Sequence, residues 1–405
     1  MNAELREEFR REAAGARTYD VYADSLLQAR RGRRRAVVAW ALLVAVVALA
    51  VPWLSRSQPA VPPAGSAAVS LPDRLGLPAD GSRGVAGLGA AAVAYTGDGG
   101  RFGPFFDEAD TYALVGATAE DYRTLHTGLA YDHVLLSPDG TVVAVPDRLV
   151  HLSTGDERPL PGAPLAWSPD GRRLVAADSR VRIVDVATGA TTDLGPVDEW
   201  SSAAWSPDGS RLAYEKDHRI IVSDVTGRTL GSFEPAYGSV LAGKGAWTPD
   251  GRAVAVVAAD ARSWAPRWFD PSSGREVAGP ALPAVVGETF GGGLLGWRPD
   301  GAALAFVPGR RPRLLALVPG ATQPVSVLAL PSEVTHLDIS DRAIESGRVR
   351  TGEPPSPIGP RLWARLGVGA LGVLVLGWLI RWLRERARMR RIVATPWETT
   401  HGPLV

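Results

Sequence analysis

Six histidines, His126, His133, His151, His218, His336 and His401, are the first residues to question, because imidazole serves both as a metal ligand and as a general base. None stands in H-E-x-x-H and no two lie at ligand spacing. The chain has no cysteine, which excludes disulfides, thiolate metal sites, iron–sulfur clusters and cysteine nucleophiles. No serine lies in G-x-S-x-G. Four carboxylates, Asp98, Asp107, Glu108 and Asp110, crowd into "GDGGRFGPFFDEAD" (97–110), but not at the D-x-[DN]-x-[DN]-G spacing of a calcium loop, and they read as a solvated loop. Two glycine patterns, "GLGAAA" (87–92) and "GGGLLG" (291–296), imitate the dinucleotide fingerprint. The true motif opens a helix whose N-terminus faces the pyrophosphate, whereas both of these run on into strand-like residues. The sequence predicts no catalytic residue, no metal ligand and no cofactor.

What the sequence does repeat is Pro-Asp-Gly. "AWSPDGRRLVAA" carries Trp167, Pro169, Asp170 and Gly171. "AWSPDGSRLAYE" carries Trp205, Pro207, Asp208 and Gly209. "AWTPDGRAVAVV" carries Trp247, Pro249, Asp250 and Gly251, and "GWRPDGAALAFV" carries Trp297, Pro299, Asp300 and Gly301. A plainer copy, "LLSPDGTVVAV", starts at Leu135. Proline presets φ at the second position of a type I turn, aspartate is tolerated at the third, and glycine supplies a positive φ at the fourth. An apolar residue follows three positions after each glycine (Val143, Leu174, Leu212, Val254, Leu304), so the unit is strand, tight turn, strand. Each unit holds a second glycine-turned hairpin, as in "IVDVATGATTDL" from Ile183 and "IVSDVTGRTLGSF" from Ile221. Two hairpins make four strands. The prolines recur at intervals of 31, 38, 42 and 50 residues, bracketing the length of a propeller blade. The repetition builds a shape: the Pro-Asp-Gly residues are turn chemistry, and the tryptophans are expected to pack between neighbouring blades.

"WSPDG" followed by "LA", and then a D-x-x-T-G hairpin, resembles the WD40-like Pro-Asp repeats of TolB-type β-propellers over roughly residues 67–352. The resemblance implies an all-β propeller in a bacterial cell envelope. Five units are clear. "AAAVAYTGDGG" (90–100) stands for a degenerate first one, and "LDISDRAIESGRV" (337–349) for a worn last copy whose strand joins the first blade and closes the ring. Six blades are favoured, with seven as the alternative. The resemblance is specific for fold and says little of activity.

Two uncharged runs flank the repeats. Residues 36–54 match the ~20 residues of a membrane-spanning helix, and the uncharged run 366–380, extended past Arg381 by Trp382 and Leu383, lies within a second span at 362–383. "RRGRRR" (30–35) precedes the first run and "RWLRERARMRR" (381–391) follows the second, so the positive-inside rule keeps both ends cytoplasmic and puts the 300-odd residues between them outside the plasma membrane. The resulting plan has a cytoplasmic amphipathic tail (1–35), a first span (36–54) and a Pro/Ala/Ser linker (55–70). The propeller (71–350), a Pro-rich linker (351–361), a second span (362–383) and a basic cytoplasmic tail (384–405) follow. Cleavage of the first run as a signal peptide, at "ALA" (48–50), is the alternative. The whole chain carries a net charge of +1, which gives no electrostatic case for nucleic acid.

Three insertions lengthen the blades, at 97–110, 258–267 and 286–296. They carry Phe102, Phe105, Phe106, Trp264 and Phe290, which either form a surface that recognises an envelope protein or glycan, or fold back to cover the ring. The function expected is a membrane-anchored extracytoplasmic binding or sensing module without enzymatic activity. The alternative is an extracytoplasmic hydrolase or lactonase with its site in the propeller channel.

Overall fold

A computed structural model describes residues 7, 8, 10, 11, 14, 68–79, 82–97, 102, 110–128, 133–196, 202–258, 263–286, 292–355 and 360–393. Residues 7, 8, 10, 11 and 14 are helical. The first apolar run (36–54) lies outside the described residues, as do most of the first linker and of the two terminal tails.

Six four-stranded sheets form the ring, so the chain has six blades. Blade 2 is built from Leu135–Leu136, Val142–Val145, Arg148–His151 and Glu157–Pro159, in that order from the inside out. Blades 3 to 6 repeat the plan, with innermost strands Ala163–Trp167, Ala203–Trp205, Ser239–Leu241 and Gly293–Trp297. Blade 1 differs. Its second, third and outermost strands come from the start of the ring (Ala91–Gly97, Thr111–Gly116, Tyr122–His126), but its innermost strand is Val334–Ile339 from the end. Val93 pairs with Ile339 and Tyr95 with Leu337, antiparallel. The worn last copy thus closes the ring, and no blade is left with an open inner edge.

The turn chemistry is the same in copy after copy. Ser168 Oγ donates to Asp170 Oδ1 at 2.6 Å, the Arg172 amide donates to the same oxygen at 3.1 Å, and Gly171 has φ 68°. Ser206 with Asp208 and Thr248 with Asp250 make the same 2.6 Å contact. In blade 6 Arg298 replaces the hydroxyl residue and pairs with Asp300 at 3.2 Å. A Cβ on Gly209 would meet Pro169 Cδ of the preceding blade at 3.5 Å, and one on Gly251 would meet Pro207 Cδ at 3.7 Å, so the turns sit head to tail around one face.

The four tryptophans lie at the seams. Trp205 opposes Leu212 and Trp247 opposes Val254, each across its own hairpin. Their indole N–H groups reach the inner strand of the preceding blade: Trp205 donates to Ala166 O at 3.3 Å and Trp247 to Ala204 O at 2.9 Å. Trp297 donates to Trp247 O at 2.7 Å. Trp167 is equally buried, but its Nε1 has no acceptor among the described residues.

A short helix and a long one complete the described chain. α1 (Asp341–Ser346) follows the closing strand directly, and its buried Ala343 and Ile344 join the core under blades 6 and 1. Gly347, at φ 59°, ends it and turns the chain into Val349–Arg350, which pairs in parallel with Leu71–Pro72. α2 (Pro360–Val393) contains Arg365–Ala387, 23 residues long and apolar enough to cross a membrane. It is the one such helix among the described residues, and its side chains are exposed in the monomer.

Candidate functional site

Blade polarity determines where chemistry can gather. Each innermost strand of blades 2 to 6 runs into its Pro-Asp-Gly turn. The turns therefore share one face. The blade-to-blade connections share the other, together with the loops between second and third strands. All three insertions belong to this connection face: 97–110 and 258–267 join second to third strands, and 286–296 leads into blade 6.

Of the aromatics expected there, Phe102 and Trp264 are not surface residues. Phe102 is 3% exposed and meets the Tyr95 ring edge-on, centroids 5.6 Å apart. Trp264 is also 3% exposed. It sits in a two-residue ladder with Val285–Val286 that staples the second insertion to the third, and its Nε1 donates to Gly292 O at 3.0 Å. For these two the fold-back reading replaces the recognition reading, because an apolar ring next to an unfilled seam gains more by burial than by exposure. Phe105, Phe106 and Phe290 lie outside the described residues. Among the described residues, Tyr237, fully exposed, and Val286 are exposed apolar side chains in the connections of this face.

In the ring interior, near the turn face, the structure assembles a charged cluster. Between Leu241 and Ala246 the inner strand of blade 5 bulges through "AGKG". The bulge lies backbone against backbone on blade 6: Leu294 N donates to Ala242 O at 2.5 Å and Gly245 N to Leu294 O at 2.9 Å. A Cβ at Gly245 would come within 2.6 Å of Gly296 N, so the approach requires glycine. The bulge carries Lys244 past blade 6 to blade 1. There its ammonium meets Asp338 Oδ1 at 2.8 Å, Ile339 O at 2.7 Å and Asp341 Oδ1 at 3.2 Å. Asp338, 2% exposed, gives its other oxygen to the Leu136 amide of blade 2 at 2.7 Å. Burial works against the lysine's charge, and the pull of Asp338 and then Asp341 more than offsets it, so the Lys244 pKa is raised. The ammonium donates to Ile339 O and Asp341 Oδ1, and its contact with Asp338 is that of an ion pair.

Two further buried groups lock neighbouring elements. Glu215 in blade 4 accepts from the Leu241 amide of blade 5 and from Ser202 N at 3.3 Å, and burial pushes its carboxyl up. Arg350 gathers Glu120 Oε1 at 2.8 Å, Gly116 O at 2.8 Å and the Ser70 carbonyl, clasping the incoming and outgoing segments to blade 1. Among the described residues no group of three or more His, Asp or Glu is arranged to hold a metal ion. Lys244 and Asp338 were not singled out by the sequence reading. Their signal was a lysine between glycines inside a strand pattern, where a glycine marks a bulge or a close backbone approach.

Six blades, a strand-swapped ring closure and an ion pair reaching from blade 5 to blade 1 define a β-propeller. No protein-family model and no curated protein matches the sequence. Among solved structures, TolB from Acinetobacter baumannii is similar at 18% identity over 62% of this chain and 65% of that one, under two thirds of its length, with a TM-score of 0.42. A putative TolB from Agrobacterium tumefaciens is similar at 18% identity over 46% and 87%, with a TM-score of 0.33. The nidogen/laminin complex is similar at 12% identity over 62% and 98%, with a TM-score of 0.41.

Proposed function

We propose that this chain is a membrane-anchored, extracytoplasmic propeller that binds an envelope protein or glycan through its connection face, without enzymatic activity. One observation carries the reading: the charged side chains that converge inside the ring are spent on one another. Lys244 is taken up by two hydrogen bonds and two ion pairs with the closing strand and α1. A channel hydrolase needs a group free to take or give a proton near a substrate, so the favoured role is binding. The three insertions share the connection face, where a rigid scaffold presents loops to a partner. The apolar stretch of α2 supports anchoring. Arginines at 30–35 and 381–391 support cytoplasmic ends, which would place the second span at 362–383, the first at 36–54 and the propeller outside.

The test is topology. Protease is added to intact cells bearing tags at both termini and within 97–110. Cutting of the loop tag alone is the expected result. A protected loop tag in intact cells would place the propeller in the cytoplasm and refute the reading.

A further inference from the structure

The Lys244 cluster costs more than an ordinary core contact. A buried ion pair is repaid only when its geometry and hydrogen bonds are complete, and apolar side chains of the same volume often serve stability as well or better. Its use is therefore to be sought in what it connects. All three Lys244 bonds fall on a four-residue stretch, Asp338 to Asp341. That stretch is the end of the closing strand and the first residue of α1. Downstream come Gly347, the Val349–Arg350 strand clasped by Glu120 and Ser70, and then α2. On the lysine's side the bulge is rooted in blade 5 and rests on blade 6. α1 rests on blade 6 as well, where a Cβ at Gly296 would sit 2.9 Å from Ile344 Cδ1.

We infer that Lys244 is a latch: it fastens the closing strand and α1, the segment that leads out of the ring towards the apolar helix, to blade 5, two blades away. The closing strand already has its ladder to Ala91–Gly97, so the ring does not need the lysine to be closed. α1 has no strand partner. It is held by Ile344 and Ala343, by the Arg342 amide, which donates to Pro138 O of blade 2 at 2.9 Å, and by the Asp341–Lys244 pair. Release of the ammonium loosens 338–350 as a unit while blades 3 and 4, which contribute nothing to the cluster, stay as they are. A movement of blade 5 would reach the outgoing strand through this side chain.

Hydrogen exchange on the full chain in detergent micelles tests the inference with Lys244→Met and Asp341→Asn. Lys244→Met is expected to speed exchange at least tenfold across 338–350, with the amides of Arg173–Ala177 and Arg211–Lys216 unchanged. Asp341 is 38% exposed, so Asp341→Asn folds even if Lys244→Met does not, and it is expected to give a smaller rise confined to the same residues. A uniform rise over all six blades would mean that the pair is a general stabiliser and would overturn the latch. An unchanged 338–350 in Asp341→Asn, with Lys244→Met either unfolded or also unchanged there, would overturn it too.

Discussion

One substitution placed at equivalent positions should give two different answers. Trp167 and Trp247 occupy the same site in their repeats, two residues before proline, and both are buried. Trp→Phe removes similar apolar area from either seam, so that contribution cancels in a comparison. The hydrogen bonds do not cancel. Trp247 donates to Ala204 O at 2.9 Å, whereas Trp167 Nε1 is buried without an acceptor. A satisfied neutral hydrogen bond contributes about 1 kcal/mol net, and a buried unpaired donor costs about 1–3 kcal/mol. Trp247→Phe loses the bond, while Trp167→Phe removes the unpaired donor. The two variants should therefore differ by about 2 kcal/mol, or some 30-fold in the unfolding constant. Trp205→Phe, whose bond is 3.3 Å long, should fall between them. Denaturant unfolding of the purified full chain, followed by circular dichroism, measures all three. Equal destabilisation by Trp167→Phe and Trp247→Phe, within about 0.5 kcal/mol, would refute the account of the seams.

The turns make the fold acid-sensitive. Ser206 and the Ser210 amide hold the Asp208 carboxyl at about 2, Thr226 holds Asp224 at about 2, and Ser272 holds Asp270 at about 2. A depressed native pKa gives stability that is present above the unfolded value near 3.9 and lost as the pH falls towards 2. The denaturation midpoint should drop through that window, and Asp208→Asn should flatten the profile. Asp208→Ala at pH 7 should cost about 1–2 kcal/mol by denaturant titration, since three contacts to one carboxylate are lost. Gly245→Ala should cost about 1–3 kcal/mol, because the new methyl meets the backbone of Leu295 and Gly296. Deleting 334–339 removes the inner strand of blade 1, and the truncated chain should aggregate on purification, as read by light scattering.

The ring was largely legible in the sequence because its determinants are local. A Pro-Asp-Gly turn states its own backbone geometry within four residues, and Val143, Leu174, Leu212, Val254 and Leu304 report which side of the next strand is core. Even the closing strand could be read, since "LDIS" keeps the pattern of "LLS" and "AWS". The cluster inside was not legible, for a physical reason. Lys244 and Asp338 are 94 residues apart, and nothing in either neighbourhood specifies that a bulge in one blade reaches past a second to a third. The aromatics failed differently. Phe102 stands in a glycine-rich insertion and Trp264 in an alanine-rich one, both of which look exposed, and only the Tyr95 ring and the Val285–Val286 strand show what covers them.

The two faces of the ring follow from one constraint. In the copies with a Ser or Thr before the proline, aspartate, hydroxyl and glycine build the tight turn together, and Gly171, Gly209 and Gly251 lie against Pro138, Pro169 and Pro207 of the neighbouring turns. Lengthening one of these turns would break both contacts, so they have little room to vary. The connection face carries no such requirement. Its loops range from the two-residue turn at Asp217–His218, both in the left-handed conformation, to the 14 residues of 97–110. Sequence diversity, and with it any recognition surface, is thereby forced to the connection face. The turn face retains only what the fold can supply from its core, which is the sealed cluster of Lys244, Asp338 and Asp341.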